Sequence, residues 1–316
     1  MRVIFLGSPE FGLLTLEKLL KHHDVVGVVT QPDSEQGRGQ KLTACPVANF
    51  AKSHGLNLMQ FEKISRDGVE VLKALNPDIM VTCAYGQILS QGIIDIPKFG
   101  IVNVHASLLP KYRGASPIQT AIINGEKETG VTIMKTEIGL DTGDIINSQK
   151  IDILDGETAG ELSERLSSIG ADLLIKSLDE IEAGTAQFTK QPYTDASITK
   201  KLTKLNCTIN FERTAGQIVN LIRGANPDPV ARTELQGQLV KIYRARVASV
   251  EADGAPGSVH STSSAKIGLL INCGTGVCEV TQIQFPGGKI IDGKSAVAGR
   301  KIKFGDCFSP YLESAN

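Results

Sequence analysis

Short, wholly apolar runs alternate with stretches whose leucines and isoleucines recur every three or four residues. The run at 3–6 (Val-Ile-Phe-Leu) is apolar on both faces, the pattern of a strand covered on both sides in a parallel sheet. After a turn at 7–12, Leu13, Leu14, Leu16, Leu19 and Leu20 keep helical spacing, and 25–29 is apolar again. Residues 3–29 therefore predict a β-α-β unit. The alternation continues with a helix from Pro46 to about His54, a strand at 58–59 and a helix over 68–75 stopped by Asn76 and Pro77. Buried strands follow at 79–83 and 101–104, then a helix at 116–123, strands at 130–135 and 145–153, and a long amphipathic helix over 158–183. The whole predicts an α/β class with an open, mostly parallel, twisted sheet of Rossmann-like form.

Near residue 190 the pattern changes. Residues 191–206 have little periodicity and predict a linker. From 207 onward the apolar segments are short: 209–211, 239–242, around Val259, 267–271 and 277–283. Glycine-bearing turns separate them, and one helix, 215–223, interrupts them. This predicts a small β-barrel of the oligonucleotide-binding (OB) type. The expected organisation is a first domain over 1–190, a linker over 191–206 and a barrel over 207–316.

Composition adds bounds. A chain of 316 residues, 41% hydrophobic and 21% charged, is long enough for two cores. A net charge of −1 gives no global nucleic-acid signature, so an anionic partner must be met by local patches. Cysteines 45, 83, 207, 273, 278 and 307 are scattered without a CxxC pair, and one histidine lies beyond residue 105. That pattern disfavours a zinc site and predicts free thiols. No secretory segment and no membrane-length apolar run is present, so a cytoplasmic protein without membrane contact is expected.

Candidate chemistry gathers at loop positions. The turn at 7–12 has Pro9 where a dinucleotide fingerprint needs its middle glycine, and Leu13 where a P-loop needs lysine. The polar stretch 31–43 sets Arg38 between two glycines with Lys41 nearby, cations that can reach a phosphate. Ala84, Tyr85, Gly86, Ile88 and Leu89 follow a strand and suggest a flat slot for a planar ligand. Asn103 and His105 are two residues apart at a strand end, where side chains share a face. Asp141 sits in a turn bracketed by Gly139 and Gly143, a carboxylate on a constrained backbone.

The strand end Asn-x-His-x-Ser-Leu-Leu-Pro, the turn Gly-Leu-Asp-Thr-Gly-Asp and the preceding Ala-Tyr-Gly resemble the formyltetrahydrofolate-dependent formyltransferases, strongly over 1–190 and more loosely beyond. The resemblance implies an α/β formyltransferase domain, an OB-like barrel, and formyl transfer from 10-formyltetrahydrofolate to methionine on initiator tRNA. It puts the catalytic roles on Asn103, His105 and Asp141. Ser107, Leu108, Leu109 and Pro110 would contact the folate, and Arg38 with Lys41 would meet the acceptor arm. It implies no metal, and a monomer is expected. The barrel departs from the pattern: the chain has no Trp and reads Asn-Pro-Asp-Pro-Val at 226–230, where relatives carry Pro-Trp-Pro-Gly-Ala.

Elementary chemistry agrees with that set. An amine attacking a formyl carbon passes through an oxyanion, which needs a donor, a proton carrier and a group to orient the carrier. Asn103 can be the donor, His105 can stabilise the intermediate as imidazolium or shuttle the proton, and Asp141 is the orienting counter-charge. The pterin is expected against 84–89 and the turn at 138–141, with the amine entering beside 31–43. Two rivals remain in the sequence: a formyltransferase for a small amine such as a purine precursor or sugar nucleotide, and a non-catalytic folate- or RNA-binding module.

Overall fold

The computed structural model describes residues 1–36 and 41–311. Its first sheet has seven strands: β1 (Arg2–Gly7), β2 (Asp24–Thr30), β3 (Leu58–Gln60), β4 (Ile79–Cys83), β5 (Ile101–His105), β6 (Glu128–Lys135) and β7 (Ile145–Asp152). Their order across the sheet is β7-β6-β5-β4-β1-β2-β3. The β3–β2, β2–β1, β1–β4 and β4–β5 pairings are parallel, and β5–β6 is antiparallel. Helices α1 (Leu13–His22), α2 (Pro46–Ser53) and α3 (Val69–Ala74) connect the early strands. The cysteine before α2 caps it, Cys45 Sγ accepting from Ala48 N at 3.4 Å.

The burial explains the apolar runs: Val3, Ile4, Phe5 and Leu6 are all fully buried, as a central strand covered on both faces requires. Strand order reverses between β1 and β4. In such sheets the crevice at the carboxyl ends of strands near the reversal receives ligands. β4 and β5 deliver Thr82 and Asn103, a directly paired couple, to that end.

The second sheet contains β8 (Ala231–Leu235), β9 (Gln238–Ala248), β10 (Leu269–Asn272), β11 (Val277–Gln284), β12 (Ile290–Asp292) and β13 (Phe308–Ser309). The order is β10-β11-β9-β8-β13 with β12 on β11, and every pairing is antiparallel. Residues 257–260 join its two outer strands. Val259 bridges Ile271, Ser258 bridges Cys307, and Gly257 N donates to Asn272 O while Phe308 N donates to Gly257 O, both at 2.8 Å. Only glycine fits there: φ is +87° and a Cβ would lie 2.2 Å from the Phe308 carbonyl oxygen. The sheet therefore curls on itself, an OB-like arrangement around Val240, Ile242, Ile271, Val280, Ile283 and Phe308.

Several sequence expectations change. Residues 209–211 form no strand; Ile209 is buried and its N–H bonds the Arg232 carbonyl at 2.8 Å, so it packs as a single anchor. Strand β8 has no counterpart in the periodicity reading. It joins β9 through Gln236 and Gly237, both at positive φ, which a two-residue hairpin demands. Around Val259 the chain only bridges. The stretch 31–43 is not all loop, since Ser34–Gln36 pairs antiparallel with Lys41–Thr43.

The chain divides into two compact units that are not continuous in sequence. One holds Met1–Gly114, Thr129–Asp152 and Ser163–Ile198; the other holds Ala115–Glu128, Ile153–Leu162 and Thr199–Asn316. Within the second, α4 (Pro117–Ile123) packs on the later helix α6 (Ala215–Gly224). Between those two helices in the chain lies the long α5 (Ala159–Glu182), and the short α7 (Gly293–Ala298) follows β12.

Candidate active site

The carboxylate of Asp141 lies between the amide of Asn103 and the imidazole of His105. Asn103 Nδ2 is 3.5 Å from Asp141 Oδ1, and His105 Nδ1 is 3.6 Å from Asp141 Oδ2. Both separations exceed an ordinary hydrogen bond, so neither group is committed to the carboxylate. Asp141 is itself fixed: Gly114 N donates to Oδ2 at 2.8 Å.

Each member is held from behind. His105 is buried, and its Nε2 lies 2.9 Å from the Tyr112 carbonyl oxygen. A carbonyl can only accept, so Nε2 carries a proton and Nδ1 is the ring nitrogen that faces Asp141. The Tyr112 loop is pinned in turn. Tyr112 N donates to Ser197 Oγ, and Arg113 N to Ser197 O, each at 2.8 Å. Asn103 Oδ1 accepts from the Thr82 hydroxyl at 2.9 Å.

The Asp141 turn depends on backbone that few residues tolerate. Asp141 has φ +52°, and at Gly143 a Cβ would sit 1.8 Å from the Lys135 carbonyl oxygen. Buried Gln191 clamps the turn, its Nε2 donating to the carbonyls of Asp141 (2.9 Å) and Gly143 (2.7 Å). Buried Arg113 donates twice to Gln191 Oε1, at 3.0 and 2.7 Å, which fixes the amide's orientation. The predicted linker thus contributes Gln191 and Ser197 to the support of the site.

The other sequence candidates divide. Ala84 and Gly86 are exposed at positive φ, and Ile88 is 91% exposed. Tyr85 and Leu89 point instead into the core with Leu6, Val29, Met80 and Ile101. Burial pushes the Tyr85 phenol up to about 12. Any slot here is made by backbone and Ile88, not by the tyrosine ring, because a strand-end aromatic gains more from burial than from exposure. Ser107 is fully buried, its hydroxyl donating to the Lys111 carbonyl at 2.7 Å and its own carbonyl accepting from Thr132 Oγ1 at 2.7 Å. It shapes the turn and presents no free hydroxyl. Leu109 is buried as well, while Leu108 and Pro110 are half-buried. Lys41 begins the strand Lys41–Thr43 that pairs with Ser34–Gln36, and Arg38 lies outside the described residues.

Large apolar side chains stand out at Ile88, Ile138 (63% exposed) and Leu140 (55%), on the two segments expected to flank a pterin. A planar heterocycle fits such chemistry better than a metal does. Among the described residues no group of three or more His, Cys, Asp or Glu is placed to hold a metal ion, and no helix is long and apolar enough to cross a membrane.

Comparison with known proteins agrees with this architecture. The family model "Formyl transferase" matches residues 1–178, and "Formyl transferase, C-terminal domain" matches 201–301. A methionyl-tRNA formyltransferase of Alkaliphilus metalliredigens is 46% identical over 96% of this chain and 97% of its own. One from Acetivibrio thermocellus is 41% identical over 97% and 99%. Among solved structures, an N-formyltransferase from Helicobacter canadensis in complex with folinic acid and dTDP-3-aminofucose shares the fold, with a TM-score of 0.67. Its identity is 23%, over 89% of this chain and 99% of that one.

Proposed function

The chain belongs to the methionyl-tRNA formyltransferase family, and from that premise we propose that Asn103, His105 and Asp141 carry its reaction. The enzyme transfers a formyl group from 10-formyltetrahydrofolate to the free amino group of methionyl initiator tRNA, the preparation for initiating protein synthesis. The single observation behind the residue roles is that the Asn103 amide and the His105 imidazole each lie within 3.6 Å of the Asp141 carboxylate.

The donor folate supplies an activated formyl carbon. Asn103 Nδ2–H donates to the formyl oxygen as it gains negative charge. His105 takes the proton lost by the attacking amine at Nδ1 and returns it to the departing folate nitrogen, so no net proton is consumed. Asp141 compensates the imidazolium's charge during that interval without leaving its bond to Gly114 N. We assign the folate to Ala84, Gly86, Ile88 and the 138–141 turn. Arg38 and Lys41 we assign to the acceptor arm, and catalysis and tRNA binding to 1–190 and 207–316 respectively. A monomer acting in the cytoplasm is the corresponding setting, which the six free cysteines suit.

The test is turnover with 10-formyltetrahydrofolate and charged initiator tRNA, read as tetrahydrofolate release. Asn103→Ala is expected to lower kcat by about a hundred- to a thousandfold, the usual effect of deleting one oxyanion donor. Unchanged kcat would remove Asn103 from its role.

A further inference from the structure

Asn103 can present either face of its amide to the reaction, and only one face donates. Two contacts bear on the choice. Asp141 Oδ1 lies 3.5 Å from Asn103 Nδ2, and the Thr82 hydroxyl lies 2.9 Å from Asn103 Oδ1. We propose that Thr82 is a positioning residue for catalysis, whose hydroxyl sets the Asn103 amide with its NH2 toward the reacting carbonyl. This rests on the oxyanion role given to Asn103 above.

The sheet makes the contact. Thr82 and Asn103 are register partners on adjacent parallel strands, so their side chains leave the same face side by side. Thr82 is buried and has two acceptors in reach, the Val102 carbonyl at 3.3 Å and the Asn103 amide oxygen at 2.9 Å. The shorter and better contact is the amide. Turning the amide over would set its oxygen against the Asp141 carboxylate, two acceptors face to face, and would leave the Thr82 proton with the longer bond. Accepting from Thr82 also polarises the amide, which strengthens its N–H groups as donors. Met80, two positions back on the same face of β4, is fully buried and apolar, so hydrophobic packing along that face does not itself call for a hydroxyl. Threonine here meets a polar need that valine, its isostere, cannot.

The experiment compares Thr82→Val, Thr82→Ser and Asn103→Ala with the parent full-length enzyme in steady-state turnover and thermal unfolding. Thr82→Val keeps the volume and the β-branch of a buried strand position and removes only the donor. It is expected to lower kcat by about three- to tenfold, the weight of one net hydrogen bond. The KM values for tRNA and folate should stay within about twofold on the same reasoning, because a bond that only orients the oxyanion donor acts on the transition state. Thr82→Ser restores the hydroxyl and is expected to recover most of the kcat lost in Thr82→Val, even though it loses a methyl group and melts lower. A merely structural role would give the opposite order, with Ser the worse variant in both measurements. Parental kcat in Thr82→Val alongside a crippled Asn103→Ala overturns the proposal for Thr82. Parental kcat in Asn103→Ala overturns the role beneath it.

Discussion

Asp141 holds a left-handed backbone conformation, with glycines two residues to either side. The two glycines differ in what they permit. Gly139 has φ +135° and its hypothetical Cβ would strike the Thr142 hydroxyl at 2.4 Å, a side chain able to turn aside. Gly143 would strike backbone, the Lys135 carbonyl oxygen at 1.8 Å, which cannot move without displacing β6. Gly143→Ala should therefore shift the Asp141 carboxylate rather than merely crowd it. A displacement of about 1 Å in a catalytic group costs on the order of a hundredfold in rate. The expected outcome is a kcat loss of that size, with an unfolding penalty of about 1–3 kcal/mol from overpacking, measured by turnover and denaturant melts. Loss of stability with intact kcat would show that the carboxylate does not depend on this turn.

At the scale of elements, caps and turns carry the local specification. Thr158 and Glu161 form a reciprocal cap at the start of α5: Glu161 Oε2 accepts from Thr158 N at 2.9 Å, and Thr158 Oγ1 accepts from Glu161 N at 3.3 Å. The Thr158 backbone N–H first, and then the Arg244 guanidinium, hold the Glu161 carboxyl down at about 2. A depressed carboxyl stabilises the fold above its ordinary value and loses that contribution as the pH falls to the folded value. The Tm difference between parent and Glu161→Gln should thus be full above 4.5 and shrink as the pH falls toward about 2. A pH-independent difference would mean that the charge does not matter there. Such a cap is legible in Thr-Ala-Gly-Glu, as the apolar runs of β1, β2, β4 and β5 are legible in their periodicity. Asn103, His105 and Asp141 could be picked out because unusual residues stood at turns and strand ends. Thr82 could not, because one hydroxyl in an apolar run gives no periodic signal and its partner is chosen by sheet order. Gln191 and Ser197 are hidden for a related reason: their bonds run to residues 48 to 85 positions away, and the local pattern there is that of a linker. Strand β8 is not legible in the periodicity, because Gln-Gly is a weak hairpin signal beside Asn-Gly.

At the scale of the whole molecule, a net charge of −1 means that attraction for a polyanion must come from local cations. Binding of tRNA releases counterions and binding of a folate releases few. The KM for initiator tRNA should rise steeply with salt while that for 10-formyltetrahydrofolate stays nearly flat. Arg38→Ala should reduce the log–log slope by about 1, as the loss of a single phosphate contact does. Equal salt dependence of the two KM values, or an unchanged slope in that variant, would remove Arg38 from the acceptor arm. The division into units has a consequence for exchange between relatives. Helix α4 comes from the middle of the chain, yet it packs on α6 so closely that a Cβ at Gly224 would stand 2.6 Å from Ile123 and 3.1 Å from the Gln119 carbonyl oxygen. A hybrid spliced once, near residue 200, would set one parent's α4 against another parent's α6 and demand a refit of that seam. The portable cassette is three separated lengths of polypeptide, and a graft that respects it must carry 115–128 and 153–162 along with everything after 198.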